Sequence, residues 1–185
     1  MISIEPQVQS NDDLATFIKE AKTLHFNKGE AIVVPGERCK YLYLVESGIL
    51  RSYYYDLKGN NITHWFASEH MLITIPPSFF NSEENVFGIE ALEDTKVSVF
   101  TYDDLEYMFE KSRYIERLFR TLITQIMVTL GQKVIDLQTK TALTRYKELL
   151  VNFPEIFNRA SLGHIASYLG ITQQSLSRLR AQINT

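Results

Sequence analysis

The sequence predicts an α+β protein: an N-terminal antiparallel β-roll, then a long helix, then a small all-helical domain. Three observations support this. Short β-branched and aromatic runs, separated by glycine turns, occupy residues 26–100. A single apolar helical repeat follows from Ser112 to about Thr139. Two short helices joined by a glycine turn close the chain. We therefore expect a β-roll over residues 1–111, a long helix over 112–139 and a helical domain over 140–185.

Composition indicates a folded protein of a reducing compartment. The chain has 185 residues, of which 45% are hydrophobic, enough for a core in each of two small domains. The single cysteine, Cys39, cannot form an internal disulfide, and no run of about 18 apolar residues offers a membrane span. Met1 to Ser10 lacks the basic cluster and apolar core of a signal peptide. We expect a cytoplasmic protein without a metal or another cofactor.

The residue pattern over 11–100 predicts one helix and five strands. Asn11 and Asp12 are capping residues ahead of apolar side chains at helical spacing, which predicts a helix over Asn11 to Leu24. The strands are expected at Ala31 to Val34, Tyr41 to Val45, Ile49 to Tyr55, Ile62 to Phe66 and Val97 to Phe100. Glycines at 29, 36, 48 and 59 mark the turns between them.

The long helix is expected to join two copies of the chain. A short helix over Tyr102 to Glu110 precedes it, and Gly131 lies inside it. Its apolar stripe is wide enough to serve a second surface besides the roll, as in two-stranded helical dimers. The alternative is a helix buried only against its own domain. The predicted dimer contacts are Ile115, Leu118, Leu122 and Ile126.

The C-terminal segment matches the packing needs of a helix-turn-helix. A helix over Leu143 to Phe153 ends at Pro154, and a loop leads to Ser161, which caps the first helix of the motif. Thr172 caps the second helix, Gln173 to about Ile183. Seven positions fit the inward or turn roles of the motif: Ile165, Ala166, Leu169, Gly170, Ile171, Leu176 and Leu179.

The exposed face of the second helix carries side chains that can form hydrogen bonds with DNA bases. Arginine can donate two hydrogen bonds to guanine, and glutamine can pair with adenine. The predicted DNA-binding residues are Thr172, Gln173, Gln174, Ser177, Arg178 and Arg180. Residues 138–185 carry six basic and two acidic side chains, although the whole chain has a net charge of −3. A polar face that only keeps the helix soluble is the alternative.

The whole chain, over about residues 14–183, resembles the Crp/Fnr superfamily of bacterial transcription regulators. The segments KGE (28–30), PGE (35–37), YLYLVESG (41–48) and ILR (49–51) are similar to the opening strands of its cyclic-nucleotide-binding-like jelly roll, and IEALED (89–94) to its closing strands. RY (145–146) followed by LL (149–150) resembles the helix before the helix-turn-helix. IASYLGIT (165–172) and SLSRLR (175–180) look like the motif in a short subgroup.

The resemblance implies a homodimer joined along residues 112–139 that binds double-stranded DNA. It assigns base reading to Gln174, Ser177 and Arg178, and we also expect RNA polymerase as a partner. Two departures from the family matter. Ser68 to Asn85 contains no glycine and no arginine where cyclic-AMP-binding members hold the phosphate, so we expect a different effector or none. Only five residues follow Arg180, so we expect no β-wing and weaker binding per monomer.

Some features leave alternatives open. Aromatic residues of the roll either line a small-molecule pocket or pack its core, and the candidate pocket residues are Tyr53, Trp65, Phe79 and Phe87. Arg51 is expected to face solvent. His164 is expected on the surface of the helix-turn-helix, and His64 on a strand, satisfied or exposed. A metal enzyme is disfavoured because His25, His64, His70 and Glu69 do not form a His-x-His pair with a following glutamate. A helix-turn-helix that has lost DNA affinity is the remaining alternative.

Overall fold

The computed structural model describes residues 3–5 and 11–183; residues 1–2, 6–10 and 184–185 of the predicted first and last domains lie outside it. The N-terminal block comprises α1 (Asp12–Glu20), β1 (Lys22–Phe26), β2 (Ala31–Val33), β3 (Leu42–Ser47), β4 (Leu50–Tyr55), β5 (Asn61–Ala67), β6 (Leu72–Ile73), α2 (Pro76–Asn81), β7 (Phe87–Ala91) and β8 (Thr95–Phe100). The C-terminal block comprises α3 (Tyr102–Lys111), α4 (Arg113–Thr139), α5 (Ala142–Asn152), α6 (Ile156–Arg159), α7 (Leu162–Tyr168) and α8 (Gln173–Ile183).

The strands form two antiparallel four-stranded sheets, in the orders β1-β8-β3-β6 and β2-β7-β4-β5. Their inner faces enclose one core, which includes Val45, Leu50, Ile89 and Val97, none of them measurably exposed. A second core lies where α1, α3 and α4 cover the roll, and a third joins the roll to the C-terminal helices. The predicted α+β architecture is therefore confirmed.

The first helix is shorter than predicted. Asn11 caps α1 by accepting a hydrogen bond from the Leu14 N–H at 2.9 Å, as expected. The helix ends at Glu20, however, and Leu24 belongs to β1, which pairs with β8. Along β1 the side chains alternate, with Thr23 and His25 exposed and Leu24 turned inward. This two-residue period is that of a strand with one face on a core, so the predicted helical end at Leu24 is wrong.

The five predicted strands are present, and their ends differ from the predicted ones by at most two residues. The sequence patterns did not predict β6 or α2. They predicted only the end of β7, which overlaps the closing segment 89–94. Gly88 is needed in β7 because the ring of Tyr53 occupies the space where a Cβ would lie. The α4 helix continues through Gly131 without interruption. The loop after Pro154 contains one helical turn, α6.

Candidate functional site

The helix-turn-helix consists of α7, a tight turn and α8. Ser161 caps α7 by accepting a hydrogen bond from the His164 N–H at 3.1 Å. Gly170 has a φ of +68°, and a Cβ there would lie 2.9 Å from a methyl carbon of Leu137 in α4. Both observations explain a glycine at this turn. Ile165, Ala166, Leu169 and Leu176 are buried, whereas Ile171 and Leu179 are partly buried.

One face of α8 presents polar side chains to solvent. Five of the six predicted DNA-binding residues are exposed, and Arg180 is half-buried; the exposed ones are Thr172, Gln173, Gln174, Ser177 and Arg178. The hydroxyl of Thr172 accepts a hydrogen bond from the Ser175 N–H at 3.2 Å and so caps the helix. The first turn of α8 therefore presents exposed side chains that can contact base edges, and N-terminal amides that can bind a phosphate.

The helix-turn-helix is docked on strand β5 of the roll through its first helix. Ser167 of α7 donates a hydrogen bond to the Thr63 hydroxyl at 3.0 Å and accepts one from the Thr63 N–H at 3.1 Å. The rings of Phe66 and Tyr168 lie 5.2 Å apart. Lys133 of α4 adds a third element, because its ammonium donates to the His64 carbonyl at 2.7 Å and lies 3.8 Å from the Tyr168 ring centre.

An arginine next to the motif fixes it to the roll from a second side. Arg159 at the end of α6 donates to both carboxylate oxygens of Glu69, at 2.7 and 2.9 Å, and also pairs with Glu93. The hydrogen bonds from Arg159 lower the pKa of Glu69 to about 2. In the sequence, Arg159 is only one of the six basic residues of 138–185. Its carboxylate partners lie 66 and 90 residues away in the chain, so no local pattern identifies them.

Two predictions about polar residues near this junction are wrong. Arg51, expected in solvent, is 2% exposed; it pairs with Glu90 at 2.6 Å and donates to the Thr63 hydroxyl at 2.9 Å. It lies on β4, between two paired strands, where a charge is stable only with partners. His164 is half-buried, and its buried Nδ1 has no hydrogen-bond partner among the described residues.

The predicted dimer contacts on α4 mostly face the chain's own roll. Ile115 and Leu122 are buried in the core beneath α3 and α4, and Leu118 is partly buried there. The burial of Ile115 and Leu122 leaves them almost no surface for a second copy, which argues against these two contacts, whereas Leu118 and Ile126 stay predictions. The half-buried Ile126 lines a cavity. Two faces of α4 are apolar, and the predicted contacts lie on or next to the inward one. The other face carries Ile123, Met127, Leu130, Val134 and Leu137, all at least partly exposed.

A cavity of about 490 Å³ lies between the roll and α4. Trp65 and Phe87, two of the predicted pocket residues, line it, together with Ile123 and Met127. Tyr53 and Phe79 do not line it, since both are buried in core contacts. Apart from Ser52, His64 and Thr74, the lining residues are apolar.

Residues 68–85 stand in the place of the family's phosphate-binding segment and contain the helix α2. Pro76 and Pro77 occupy the first turn of α2, and Asn85 is buried, with its amide donating to the Glu37 carbonyl at 3.3 Å. The nearby Arg38 donates to the Ser82 hydroxyl at 2.5 Å. Neither Arg38 nor Arg51 lines the cavity.

The candidate metal ligands of the roll lie apart from one another. His25 is on β1 and His64 on β5, and the carboxylate of Glu69 is paired with Arg159. Within residues 3–5 and 11–183, no three histidine, cysteine, aspartate or glutamate side chains are grouped so as to hold a metal ion. The helices of that part of the chain are also too short or too polar to cross a membrane.

Comparison with known proteins gives consistent results. Residues 23–112 match the family described as cyclic nucleotide-binding domain. The chain is 24% identical to the fumarate and nitrate reduction regulatory protein of Yersinia pestis, over 91% of this chain and 70% of that protein. The fold is similar to that of FixK2 from Bradyrhizobium japonicum, with a TM-score of 0.74 and 23% identity over 89% of this chain and 84% of that one.

A CooA variant from Carboxydothermus hydrogenoformans also has a TM-score of 0.74, with 17% identity over 99% of this chain and 84% of that one. Both structural similarities extend from the roll through the C-terminal helices. Together with the sequence matches, they indicate that this chain is similar to the Crp/Fnr regulators from its roll to its C-terminal helices.

Proposed function

We propose that this protein is a DNA-binding transcription regulator, not an enzyme, that acts in the cytoplasm and contacts RNA polymerase. The exposed polar face of α8, held on a fully packed helix-turn-helix, is the observation that carries this proposal. In such motifs the N-terminal part of the second helix enters the major groove. Similarity to the fumarate and nitrate reduction regulatory protein of Yersinia pestis supports the same function.

Each exposed residue of α8 has a role in this proposal. Arg178 donates two hydrogen bonds to a guanine, and Gln173 or Gln174 pairs with an adenine. Ser177 lies one turn further along the same face and contacts a base or sugar. Thr172 and the N–H groups of the first turn hold a phosphate. Arg180, which is half-buried, contacts the backbone of the same half-site.

The second part of the proposal is a homodimer joined along α4. Ile123, Met127, Leu130, Val134 and Leu137 are spaced by four and three residues in turn, which is the spacing of a two-helix interface. Met127 and Val134 are 69% and 56% exposed in the single chain, so much of this apolar face is open to a second copy. A two-fold dimer presents two α8 helices to one face of the duplex, about 34 Å apart.

Selection of genomic DNA fragments by the purified protein tests this function. The bound fragments are expected to share an inverted repeat whose half-sites lie about one helical turn, or 10 base pairs, apart. Enrichment of direct repeats or single half-sites would argue against the two-fold dimer. Recovery of fragments without a common sequence would favour the alternative of a helix-turn-helix without specific DNA binding.

The third part of the proposal is that a small ligand other than cyclic AMP controls the regulator from the roll. A cyclic phosphate keeps its negative charge on binding and needs a cation to offset its desolvation. Among the described residues, none that lines the cavity is a lysine or arginine. Calorimetric titration with cyclic AMP and cyclic GMP is expected to show no saturable heat. A dissociation constant in the low micromolar range, about −8 kcal/mol, would contradict this part.

A further inference from the structure

The cavity between the roll and α4 has a defined polar end within apolar walls. Its volume of about 490 Å³ falls within the range of about 300 to 1,000 Å³ of small-molecule sites. Trp65, Phe87, Ile123 and Met127 contribute apolar surface. Thr74 also lines it, but its hydroxyl already donates to the Tyr41 carbonyl at 2.9 Å.

Two polar side chains on neighbouring strands face the cavity with their hydrogen-bonding groups free. Ser52 is on β4 and His64 on the paired strand β5. Within the described residues, neither the Ser52 hydroxyl nor the His64 ring forms a hydrogen bond with another protein group. Polar groups in such sheltered positions normally have partners. A ligand with a hydrogen-bonding group supplies one.

The charges around the cavity select against ions. Burial and the neighbouring Lys133 ammonium lower the pKa of His64 to about 4, so its imidazole is uncharged at neutral pH. Lys133 bonds to the His64 carbonyl and stacks on Tyr168, and it lines the cleft toward α5, not this cavity. Among the described residues that line the cavity, an anion would face no paired cation and a cation would face no carboxylate.

We propose that this cavity binds a small, uncharged, mostly apolar molecule whose hydrogen-bonding group meets Ser52 and His64. The inference rests on the proposed function only in treating the roll as an effector domain. In the proposed dimer, the α4 helix of the second copy lies against the outer side of Ile123 and Met127. The exposed face of that helix is apolar and offers no hydrogen bond to Ser52 or His64, so a small ligand remains the occupant that supplies one.

Two fluorescent probes with one ring system test the proposal on the full-length protein. N-phenyl-1-naphthylamine is uncharged, and 8-anilino-1-naphthalenesulfonate adds a sulfonate to the same skeleton. We expect saturable binding of the uncharged probe, one molecule per chain, and at least about tenfold weaker binding of the sulfonate, equivalent to about 1.4 kcal/mol. Equal or tighter binding of the sulfonate would overturn the proposal, and so would an absence of saturable binding.

Three variants locate the probe. His64→Phe takes up part of the cavity and removes a polar partner, and it is expected to weaken binding of the uncharged probe about tenfold or more. Ser52→Ala, which keeps the volume and the fold, should weaken it by a smaller factor of about three. Leu57→Ser removes an exposed apolar side chain from the β4–β5 turn and should change nothing. Binding that responds to Leu57→Ser and not to His64→Phe would mean adsorption to the surface and would overturn the assignment.

The same preparations are tested for DNA binding on the fragments selected above. Loss of probe binding with intact DNA binding would reject the ligand class and leave the regulator function standing. Probe binding without specific DNA binding would reject the regulator function and leave the ligand site standing. The two proposals therefore fail separately.

Discussion

At the residue scale, Arg159 forms the ion pairs that link the helix-turn-helix domain to the roll. It joins Glu69 and Glu93 of the roll to the end of α6, two residues before the cap of α7. The three side chains are 22–35% exposed, so water screens part of the attraction. The hydrogen bonds still satisfy two carboxylates that would otherwise lie close together without a cation.

Arg159→Ala is therefore expected to lower the free energy of unfolding by about 2 kcal/mol, the usual loss for hydrogen bonds to charged groups. Urea denaturation measures it. Lys96→Ala is the matched control, because Lys96 forms an ion pair with Glu46 at the more exposed surface of the roll, and the expected loss is below about 1 kcal/mol. Similar losses for the two variants would mean that Arg159 does not fix the domains together.

His64 gives a prediction about pH. Its pKa is about 4 in the folded chain and near 6.5 when exposed, because burial and Lys133 disfavour the charged ring. The unfolded chain therefore takes up the proton first as the pH falls. The stability contributed by the neutral ring is complete above about pH 6.5 and is lost as the pH falls toward 4.

Relative to His64→Gln, which cannot titrate, the wild-type protein should lose stability between pH 7 and pH 4 in urea denaturation. His25→Gln, which changes an exposed histidine of β1, serves as the control and should follow the wild-type protein. A constant difference between wild type and His64→Gln over this range would show that His64 is not held neutral.

Where the helix-turn-helix meets the roll, apolar packing could be predicted from the sequence, but the burial of polar residues could not. The packing of the helix-turn-helix was predictable, since Ile165, Gly170 and Leu176 each meet a local requirement of the motif. The burial of Arg51 was not predictable, because its partner Glu90 is brought beside it only by the pairing of β4 with β7. Long-range pairs of this kind leave no periodic pattern in the sequence.

At the element scale, α4 has two apolar faces with different partners. The inward face, with Ile115 and Leu122, packs on the chain's own roll. The exposed face, with Met127 and Val134, is the proposed dimer contact. The spacing of hydrophobic residues shows that a helix is apolar on more than one side. It does not show which side packs on the same chain and which on a second copy.

Met127→Asp is expected to convert the dimer to monomers, because a charge buried without a partner in a helix interface is strongly disfavoured. Sedimentation velocity measures the change. Val151→Asp, at an equally exposed apolar position of α5, is the control and should leave the dimer intact. Leu122→Asp should instead unfold the chain. A Met127→Asp protein that sediments as a dimer would contradict the assignment of this face.

The missed elements are the ones that depend on tertiary pairing. The β6 strand has two residues and exists through its pairing with β3. The β7 strand contains Gly88 and Glu90, which are poor strand formers, and is held between β2 and β4. The β1 strand was mistaken for the end of a helix, because its neighbour β8 lies about 70 residues further along the chain.

At the scale of the whole molecule, one strand connects the two proposed sites. On β5, His64 and Trp65 line the cavity, whereas Thr63 and Phe66 contact Ser167 and Tyr168 of α7. Lys133 bonds to the same strand from α4. The proposed ligand site and the support of α7 therefore share residues of one strand.

The central claim is that α8 reads DNA sequence, and Arg178 is its most specific element. The direct measurement is the affinity of wild-type protein, Arg178→Ala and Lys58→Ala for a selected site and for random DNA at one salt concentration. Lys58 lies in the exposed β4–β5 turn and provides the same change of charge away from α8. We expect Arg178→Ala to lose about 1 to 3 kcal/mol on the selected site, with less loss on random DNA and a relaxed preference at one base pair per half-site. Lys58→Ala should bind both DNAs as tightly as the wild type. An unchanged affinity of Arg178→Ala for the selected site, or an equal loss on both DNAs, would contradict base reading by Arg178.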